Sequence, residues 1–497
     1  MRKTMAVLSC TTLLAASPVL AAEFQPIGNT LGIGGAGVAR TYDAYAPYWN
    51  PAGLAFNSHS FSSRLTGGAG IRISSSMAEN VDRIGKLDVN QLRDLNITNL
   101  TDTANNRSLV GKAGEFVGVL NDLDHNDGNL SANADAVLGF QYDHFAVGGF
   151  STMELASFPS IDTAAVAFGG VTTPATLATA IGATPSATAT TNFFTSTQSA
   201  AIASAFGGGT TGTGIANALD AQYGGTAPVT GQSNQQLSDA LVKVGSAMTN
   251  STGSLENNGS TLEYRGLILV DVPLSYGYPI DLGRFGTLGV GGSVKVMWGR
   301  AFIGESQIVQ VKNSGDIVKN ITDHYQDSTT WGVDLGALWR YSDWLNVGVV
   351  AKNLNSPEFD APTVAVRTVN SVPVNPGGPI KVKPMVRTGI SLDPLSWLTI
   401  AGDLDLTEND TVLIGQKSRN IGGGVEIHPL TWFKLRGGIY KNLANGEVGA
   451  VPTFGLTLGT KWVNFDLDGA MALKSGRYKD TEYPREARAQ FSLNFLF

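Results

Sequence analysis

Charged residues are scarce in this sequence. Only 15% of its 497 residues are Asp, Glu, Lys or Arg, whereas soluble globular proteins carry about 25%. The net charge is −7, so the chain lacks the basic surface that nucleic-acid binding requires. Hydrophobic residues make up 42%, which excludes a disordered chain because disorder needs low hydrophobicity and high net charge.

Cysteine is nearly absent as well. The one cysteine, Cys10, lies close to the N-terminus, and a mature chain without it would form no disulfide and no cysteine-ligated metal site. The histidines show no metal-ligand spacing, and the sequence has no nucleophile-elbow or zinc-protease motif. The sequence therefore predicts a protein that has no cofactor and is not an enzyme.

Long hydrophobic runs are missing after the first 22 residues, so no segment there has the roughly 20 apolar residues of a transmembrane helix. Within those first residues, Arg2 and Lys3 precede an apolar run that ends on Ala21 and Ala22. A charged start, a short apolar stretch and a small-residue cleavage site are typical of a secretory signal peptide. We expect residues 1–22 to be removed on export, which takes away two positive charges.

Alternation of apolar and polar residues is the main regularity of the second half. Leu398, Ile400 and Leu404 share one face of a segment whose other face carries Thr399 and Asp403. This period of two indicates β-strands with one apolar face. A soluble sandwich would show the same alternation, but here charges and glycines recur on the polar face of strand after strand, which favours a barrel around a polar interior.

The alternation predicts an all-β fold of about 14 antiparallel strands. We place them at about 58–74, 133–142, 145–156, 263–279, 286–300, 329–341, 344–354, 383–393, 397–407, 419–428, 432–441, 452–461, 463–473 and 487–497. An even strand number, short turns at one end and long loops at the other are typical of a bacterial outer-membrane barrel. Trp344, Trp397 and Trp432 each follow a short turn, as in an interfacial aromatic girdle.

Two long loops and the C-terminus complete the predicted barrel of residues 58–497. The loops, 75–131 and 157–262, are expected to be external and partly helical because they contain amphipathic stretches. The last strand ends on a terminal aromatic residue, and this pattern resembles the signal that the outer-membrane barrel-assembly machinery reads. The residues of that signal alternate with polar ones and are Phe491, Leu493, Phe495 and Phe497.

Two other motifs have simpler interpretations. The run Asp122–Gly128 resembles a calcium loop, but its glycine comes one place late and Asn133 stands where an EF-hand has Glu. A solvated turn is the simpler interpretation, and a loosely held cation stays open. Carboxylates spaced two apart also share strand faces with basic residues, and we expect them to form ion pairs across the lumen rather than a catalytic site. They are Asp403, Asp405, Asp466 and Asp468.

Residues 23–57 have no strand pattern and are small and apolar enough to be buried inside the barrel as a plug. This segment resembles the N-terminal hatch of FadL-type outer-membrane channels for long-chain fatty acids and other hydrophobic compounds. The resemblance rests on an Asn-Pro-Ala motif that follows a Gly/Ala-rich stretch and an acidic residue. The matching residues are Asp43, Asn50, Pro51 and Ala52.

Later blocks are more specifically similar to the TraF-like (conjugal transfer protein TraF) branch of these FadL/TodX-like barrels. They are Lys352–Pro357, Asp403–Thr407 and Gly424–Glu426. The resemblance covers the hatch and most of 263–497 but not 157–262. It implies membrane lipids, the assembly machinery and a hydrophobic small molecule as partners, and a location in the outer membrane of a Gram-negative bacterium.

The resemblance also implies a function. A hydrophobic, fatty-acid-like molecule would be captured by the external loops and released sideways past the hatch. Gly148 and Gly149 are candidates for the break in the wall, because glycines loosen strand pairing. The alternative is an interaction or docking barrel associated with conjugal transfer or secretion.

Overall fold

The computed structural model describes most of the chain. The described residues are 23–56, 59–87, 97, 99–125, 129–160, 171, 173–250, 260–307, 324–362, 367–369, 372–374, 379–412, 416–430, 432–478 and 481–497. The predicted signal peptide, residues 1–22 with Cys10, lies outside them, as do residue 57 of the predicted plug and residues 126–128 of the calcium-like run.

Fourteen strands form one closed antiparallel barrel, which confirms the predicted fold class. They are β1 Phe61–Ile73, β2 Leu130–Tyr142, β3 Phe145–Ser160, β4 Thr261–Asp281, β5 Thr287–Gln307, β6 Tyr325–Ser342, β7 Leu345–Lys352, β8 Met385–Leu395, β9 Leu398–Asp405, β10 Asn420–Leu430, β11 Phe433–Asn442, β12 Ala450–Gly459, β13 Val463–Met471 and β14 Glu486–Leu496. Each strand pairs with the next, and β14 pairs with β1. Closure leaves no free sheet edge.

The strand bounds lie close to the predicted ones, and the largest difference is in β5. This strand continues to Gln307, beyond the predicted end at 300, because it stays paired with β4 as far as Thr261. Short turns join the strands at one end of the barrel. At the other end the connections are long and include 74–129, 161–260 and 353–384.

Side chains alternate across the wall over much of its height. On β5, Val294 and Val296 are about 60% exposed on the outer face, whereas Ser293 and Lys295, which alternate with them, are buried. The same alternation of exposed apolar and buried polar residues recurs around the barrel. An outer face of this kind is favourable against lipid and unfavourable against water.

Tryptophans mark the short-turn end of the barrel. Trp344, Trp397, Trp432 and Trp462 are each about half exposed there. This agrees with the interfacial girdle expected from the sequence.

Helices occur inside the barrel and at its long-loop end. A short helix, α1 Ala46–Trp49, precedes β1. The connection between β1 and β2 holds α2 Ser75–Lys86 and α3 Thr103–His125, and the connection between β3 and β4 holds α4 Pro174–Ala180, α5 Ser196–Ala205, α6 Gly209–Gly225 and α7 Asn234–Asn250. Among the described residues, no helix is both long and apolar enough to cross a membrane.

Helices α2–α7 pack around a hydrophobic core of their own. Its buried side chains include Phe116, Phe194, Ile215 and Leu241, contributed by four different helices and connections. Asp122 of the calcium-like run accepts hydrogen bonds from Arg83 (3.1 Å) and Gln236 (2.8 Å) and so joins helices within this layer. The two long connections therefore form one helical layer.

Candidate functional site

Residues 23–56 lie against the inward faces of the barrel strands. The segment contains two 3₁₀ turns, Gly28–Ile33 and Pro51–Phe56, on either side of α1. The first turn ends at Gly34, whose φ of 71° favours glycine. The side chains of Ile27, Val38 and Trp49 are fully buried. The segment therefore belongs to the packed interior.

The predicted hatch-motif residues bind the segment to the wall. Asn50 is fully buried, and its side-chain amide donates to the backbone oxygens of Val38 (3.1 Å) and Ala337 (3.2 Å). Its side-chain oxygen accepts the Ala52 N–H at 3.1 Å. Asp43 forms an ion pair with Arg64 of β1. Together these contacts tie the segment to strands on two sides of the barrel.

Glycines of β5, β6 and β7 make room for the Asn-Pro-Ala motif. Gly291 and Gly336 are paired across β5 and β6, and Gly348 lies on β7. A methyl group at Gly336 would overlap the side-chain oxygen of Asn50, and one at Gly291 would overlap the backbone of Pro51. Only glycine allows so close an approach of two backbones here.

Charged side chains of the lumen also contact the segment. Asp403 of β9 accepts the backbone N–H groups of Gly37 (2.8 Å) and Val38 (3.0 Å). Arg40 forms an ion pair with Glu426 of β10 at 2.9 Å. Buried charges of this kind are tolerated only when they are paired or hydrogen-bonded. The segment and the wall therefore provide each other's buried charges and N–H groups with partners.

Three of the four predicted lumenal carboxylates form ion pairs with arginines, whereas Asp403 accepts two backbone N–H groups instead. Arg436 lies 3.0 Å from Asp468 and 3.2 Å from Asp466, and Arg387 lies 2.6 Å from Asp405. All five of these side chains are buried or nearly so. This confirms the expectation that opposite charges meet across the lumen. In the described part of the chain, no group of three His, Cys, Asp or Glu residues is arranged to hold a metal ion.

An aromatic cluster lies where the segment faces β3. Tyr48 stacks on Phe150 of β3 with ring centroids 6.1 Å apart, and Phe24 and Trp49 pack beside it. Lys352 of β7 donates to the backbone oxygen of Tyr48 (3.1 Å), and its ammonium lies 3.8 Å from the ring centroid of Tyr48. The aromatic rings and the cation thereby hold this part of the segment in place.

Between the long-loop end and residues 23–56 the lumen is apolar. We call this the lumenal apolar cluster; its buried members are Ala156, Leu267, Leu269, Met297, Ala301, Phe359, Ile380, Val382 and Val412. Five of them project from β3, β4 and β5, whereas Phe359, Ile380 and Val382 come from the connection between β7 and β8. That connection therefore bends into the barrel, which the sequence analysis did not predict.

Arg265 borders the lumenal apolar cluster. It lies on β4, on the same face as Leu267 and Leu269, and is fully buried. All three guanidinium nitrogens lack a hydrogen-bond partner among the described residues, and the nearest ring, Phe158, lies 5.9 Å away. The charge of Glu263, two residues earlier on the same face, acts on Arg265 but makes no hydrogen bond with it. A buried guanidinium without hydrogen-bond partners is costly.

The wall is locally unpaired at the predicted break. Strands β3 and β4 pair on both sides, at Val147–Leu274 and at Phe150–Asp271, but Gly148 and Gly149 have no ladder partner on β4. The register places them opposite residues 273 and 272, and residue 273 is a proline, which has no N–H to donate. A side chain at Gly149 would meet open space.

Comparison with models of protein families identifies the family of this chain. The family model described as "F plasmid transfer operon, TraF, protein" matches residues 47–405, which is most of the chain. The chain belongs to this TraF family. The match begins within α1 and ends with β9, so it includes Asn50, Arg265 and the lumenal apolar cluster up to Val382. The predicted TraF-like resemblance is confirmed.

Solved structures give a similar but weaker result for this TraF-family chain. It is 11% identical to the Pseudomonas putida toluene transporter TodX (97% of this chain, 99% of that one, TM-score 0.42). It is 12% identical to the Ralstonia pickettii toluene transporter TbuX (97% and 99%, TM-score 0.44) and 10% to a Pseudomonas aeruginosa FadL homologue (95% and 98%, TM-score 0.40). No curated protein sequence matches. The fold assignment rests on the strand pairing of the TraF-family chain itself.

The sequence-predicted residues fall into separate places in the TraF-family barrel. Asn50, Pro51 and Ala52 meet the wall of β5–β7, whereas Asp43 pairs with Arg64 of β1. The glycine pair lies beside Phe150, and the C-terminal residues lie at the closing seam. Phe491 of β14 and the terminal Phe497 are about half exposed, while Gln490 of β14 is buried.

Arg265 and Phe359 were missed by the sequence analysis. A signal for Arg265 exists in the sequence. The inward face of β4 changes from polar to apolar at Leu269 and Leu267, and then carries an arginine.

Proposed function

We propose that the chain is an outer-membrane channel for uptake of a hydrophobic, fatty-acid-like compound. The compound would enter from the helical layer, bind at the lumenal apolar cluster, and leave sideways through the wall beside Gly148 and Gly149. In this proposal residues 1–22 are a signal peptide, residues 23–57 are a plug, and Phe491–Phe497 form the assembly signal. The closed barrel and its apolar outer face support the location.

The observation that carries the proposal is the lumenal apolar cluster beside Arg265. Small-molecule sites are mostly apolar with a few polar groups that fix orientation. Elsewhere the lumen carries buried ion pairs, so an apolar region beside them favours a hydrophobic occupant. The unpartnered guanidinium of Arg265 favours a carboxylate at one end of that occupant.

The contacts of residues 23–56 support a plug that blocks free diffusion. The segment is hydrogen-bonded or ion-paired to β1, β6, β9 and β10. A ligand bound above it would have no straight path along the axis. The unpaired stretch of β3 offers a sideways path. It lies directly before Phe150, which belongs to the aromatic cluster inside the barrel. Phe359, Ile380 and Val382 would have to move aside when the ligand binds.

Palmitate binding by the full chain in lipid nanodiscs tests the proposal. Because charge-assisted hydrogen bonds contribute about 1.5–3 kcal/mol, Arg265→Met should weaken palmitate binding about 10- to 100-fold. Binding of hexadecanol, which has no carboxylate, should not change. Arg300→Met is the matched control, because Arg300 pairs with exposed Asp327 away from the lumen.

The unliganded protein provides a second readout. Since Arg265 is unpaired without ligand, Arg265→Met should leave thermal stability equal or higher. Equal palmitate binding by wild type and Arg265→Met would contradict the carboxylate contact. Failure of the wild type to bind palmitate, hexadecanol and toluene would contradict the channel.

A docking role is the second candidate, and the surface of the helical layer favours it. Residues 173–238 contain one charged residue, Asp220, which is buried, so this part of the layer presents an uncharged surface. Such a surface at the long-loop end suits contact with another protein. Replacing 173–238 by a short Gly-Ser linker would then abolish conjugation or secretion while palmitate binding persists. The channel proposal predicts instead that palmitate binding is lost and that conjugation or secretion persists.

A further inference from the structure

Glu154 is a half-buried residue whose carboxylate forms no ion pair among the described residues, although the charge of Arg72 acts on it from a longer distance. It projects inward from β3, and its neighbours across the sheet are Asn133 on β2 and Leu267 on β4, neither of which is basic. One of its oxygens, Oε2, is buried and has no hydrogen-bond partner. Among the described residues, no Lys, Arg or His nitrogen lies within 4.0 Å of the Glu154 carboxylate.

The start of the described chain lies directly at this carboxylate. The backbone N–H groups of Glu23 and Val412 both lie near the Glu154 carboxylate. The next residues follow β3, since the side-chain amide of Gln25 donates to the Met153 oxygen at 3.4 Å. Phe24 between them is buried. The nitrogen of Glu23 is therefore held inside the barrel next to an unsatisfied carboxylate oxygen.

The surroundings carry an excess of negative charge. The side chain of Glu23 accepts a hydrogen bond from Asn420 (3.0 Å) and lies 3.6 Å from Arg72. That arginine makes its closer contact, 2.8 Å, with Glu486. Three carboxylates, those of Glu23, Glu154 and Glu486, thus share the charges of two guanidinium groups, those of Arg72 and Arg488. One further cation would balance these three carboxylates, and the backbone nitrogen of Glu23 lies close to them.

We propose that Glu154 receives the α-ammonium group that hydrolysis of the Ala22–Glu23 peptide bond creates. A leader peptidase of the export pathway adds water across this bond, which leaves a carboxylate on Ala22 and an amine on Glu23. The amine, whose ordinary pKa is about 8, is protonated and has three donors where the peptide had one. It offers charged donors to Glu154, and one of them would pair with the unpartnered Oε2.

The pairing couples maturation to seating of residues 23–56. An uncleaved chain has a neutral amide at Glu23 and leaves the Glu154 carboxylate without an ion-pair partner, which is costly away from water. A cleaved chain gains a buried ion pair at the first residue of the segment. Cleavage one residue earlier or later displaces the ammonium by one residue, about 3.3–3.6 Å, and loses the pair. The proposed ion pair therefore requires cleavage at this one peptide bond.

The test measures the reactivity of the α-amine in the assembled full-length protein. Mass spectrometry first establishes whether the mature chain begins at Glu23. An amine-selective N-hydroxysuccinimide ester is then applied at about pH 7, and labelling of the N-terminus is compared between wild type and Glu154→Gln. An ion pair raises the pKa of the amine and shields the amine from the reagent. The N-terminus of the wild type should therefore react at about one tenth of the rate of Glu154→Gln, or more slowly still.

Two controls separate loss of the pair from loss of structure. Trypsin cleavage at Arg40, which is paired with Glu426, reports whether the segment stays seated, and it should stay slow in both proteins. Glu358→Gln changes an exposed carboxylate outside this region and should label like wild type. One Ala inserted between Ala22 and Glu23 should give fast labelling with Glu154 intact.

Three results would overturn the inference. The first is a mature N-terminus other than Glu23. The second is equal labelling of wild type and Glu154→Gln, as expected if a water or metal cation satisfies Glu154. The third is fast labelling of the wild type itself. None of them depends on whether the barrel binds palmitate.

Discussion

Single side chains decide how closely residues 23–56 approach the barrel wall. Where β5, β6 and β7 meet the Asn-Pro-Ala motif, the wall has glycine at three positions, and the asparagine bonds to backbone oxygens on both sides of the contact. The abundance of glycine, 60 residues in all, is explained in part by such contacts. A wall residue with a side chain there would push the motif away.

Gly336→Ala tests this close approach. The added methyl group overlaps the side-chain oxygen of Asn50, and overpacking of this kind costs about 1–3 kcal/mol. We expect faster trypsin cleavage at Arg40 while the barrel keeps its resistance to heat in detergent. Gly437→Ala is the control, because a methyl group there points into open space on the outer face. Equal cleavage of both variants would contradict the close contact.

At the scale of elements, Asp220 organises the helical layer. This buried residue of α6 accepts hydrogen bonds from the backbone N–H groups of Asn192, Phe193 and Phe194, each at 2.8 Å. The hydroxyl of Thr190 donates to it at 2.7 Å. Burial raises the pKa of Asp220, but these donors outweigh burial and hold its pKa below the ordinary value. One charge thereby orders the chain that leads into α5.

Asp220→Asn should loosen this part of the layer. The asparagine side chain cannot accept hydrogen bonds from all four donors, so we expect the local stability of this part of the layer to fall by about 1–3 kcal/mol. Hydrogen exchange at residues 192–194 should become faster, while the strands stay protected. Asp239→Asn, on the exposed side of α7, is the control and should behave like wild type.

The pH dependence of the same region has a definite sign. Because the pKa of Asp220 is lower in the folded state, its stabilisation is complete above the unfolded value of about 3.9 and is lost as the pH falls through the folded value. Protection of residues 192–194 should be constant between about pH 7 and pH 5 and decrease only in stronger acid. Loss of protection already at pH 5 to 6 would contradict this account.

Elements differ in how well the sequence predicts them. The strands were predictable because lipid on one side and a polar lumen on the other impose a period of two, as Val294 and Lys295 illustrate. The connection between β7 and β8 was not, because nothing local to Phe359 or Ile380 distinguishes an apolar residue in the lumen from one in any core. Arg265 was missed for the same reason, since its lack of a partner depends on residues far away in sequence.

At the scale of the whole molecule, the proposed route joins three places that are separate in sequence. They are the helical layer, the lumenal apolar cluster and the unpaired stretch of β3. Residues 23–56 lie between the cluster and the short-turn end and are held by hydrogen bonds and ion pairs on several sides. A ligand that passes the barrel without displacing this segment has to leave through the wall.

Locking the wall with a disulfide tests the central claim of sideways release most directly. Apart from Cys10, the chain has no cysteine, so introduced pairs form without competition. Gly149→Cys with Val272→Cys would bridge β3 and β4 at the unpaired stretch. Gly149→Cys with Leu138→Cys is the matched control, because Leu138 faces Gly149 across the fully paired β2–β3 seam.

The measurement is uptake of radiolabelled palmitate by cells that depend on this protein. The account predicts that the β3–β4 disulfide abolishes uptake, that a reductant restores it, and that the β2–β3 disulfide leaves it unchanged. Full uptake with the β3–β4 disulfide formed would contradict release through this part of the wall.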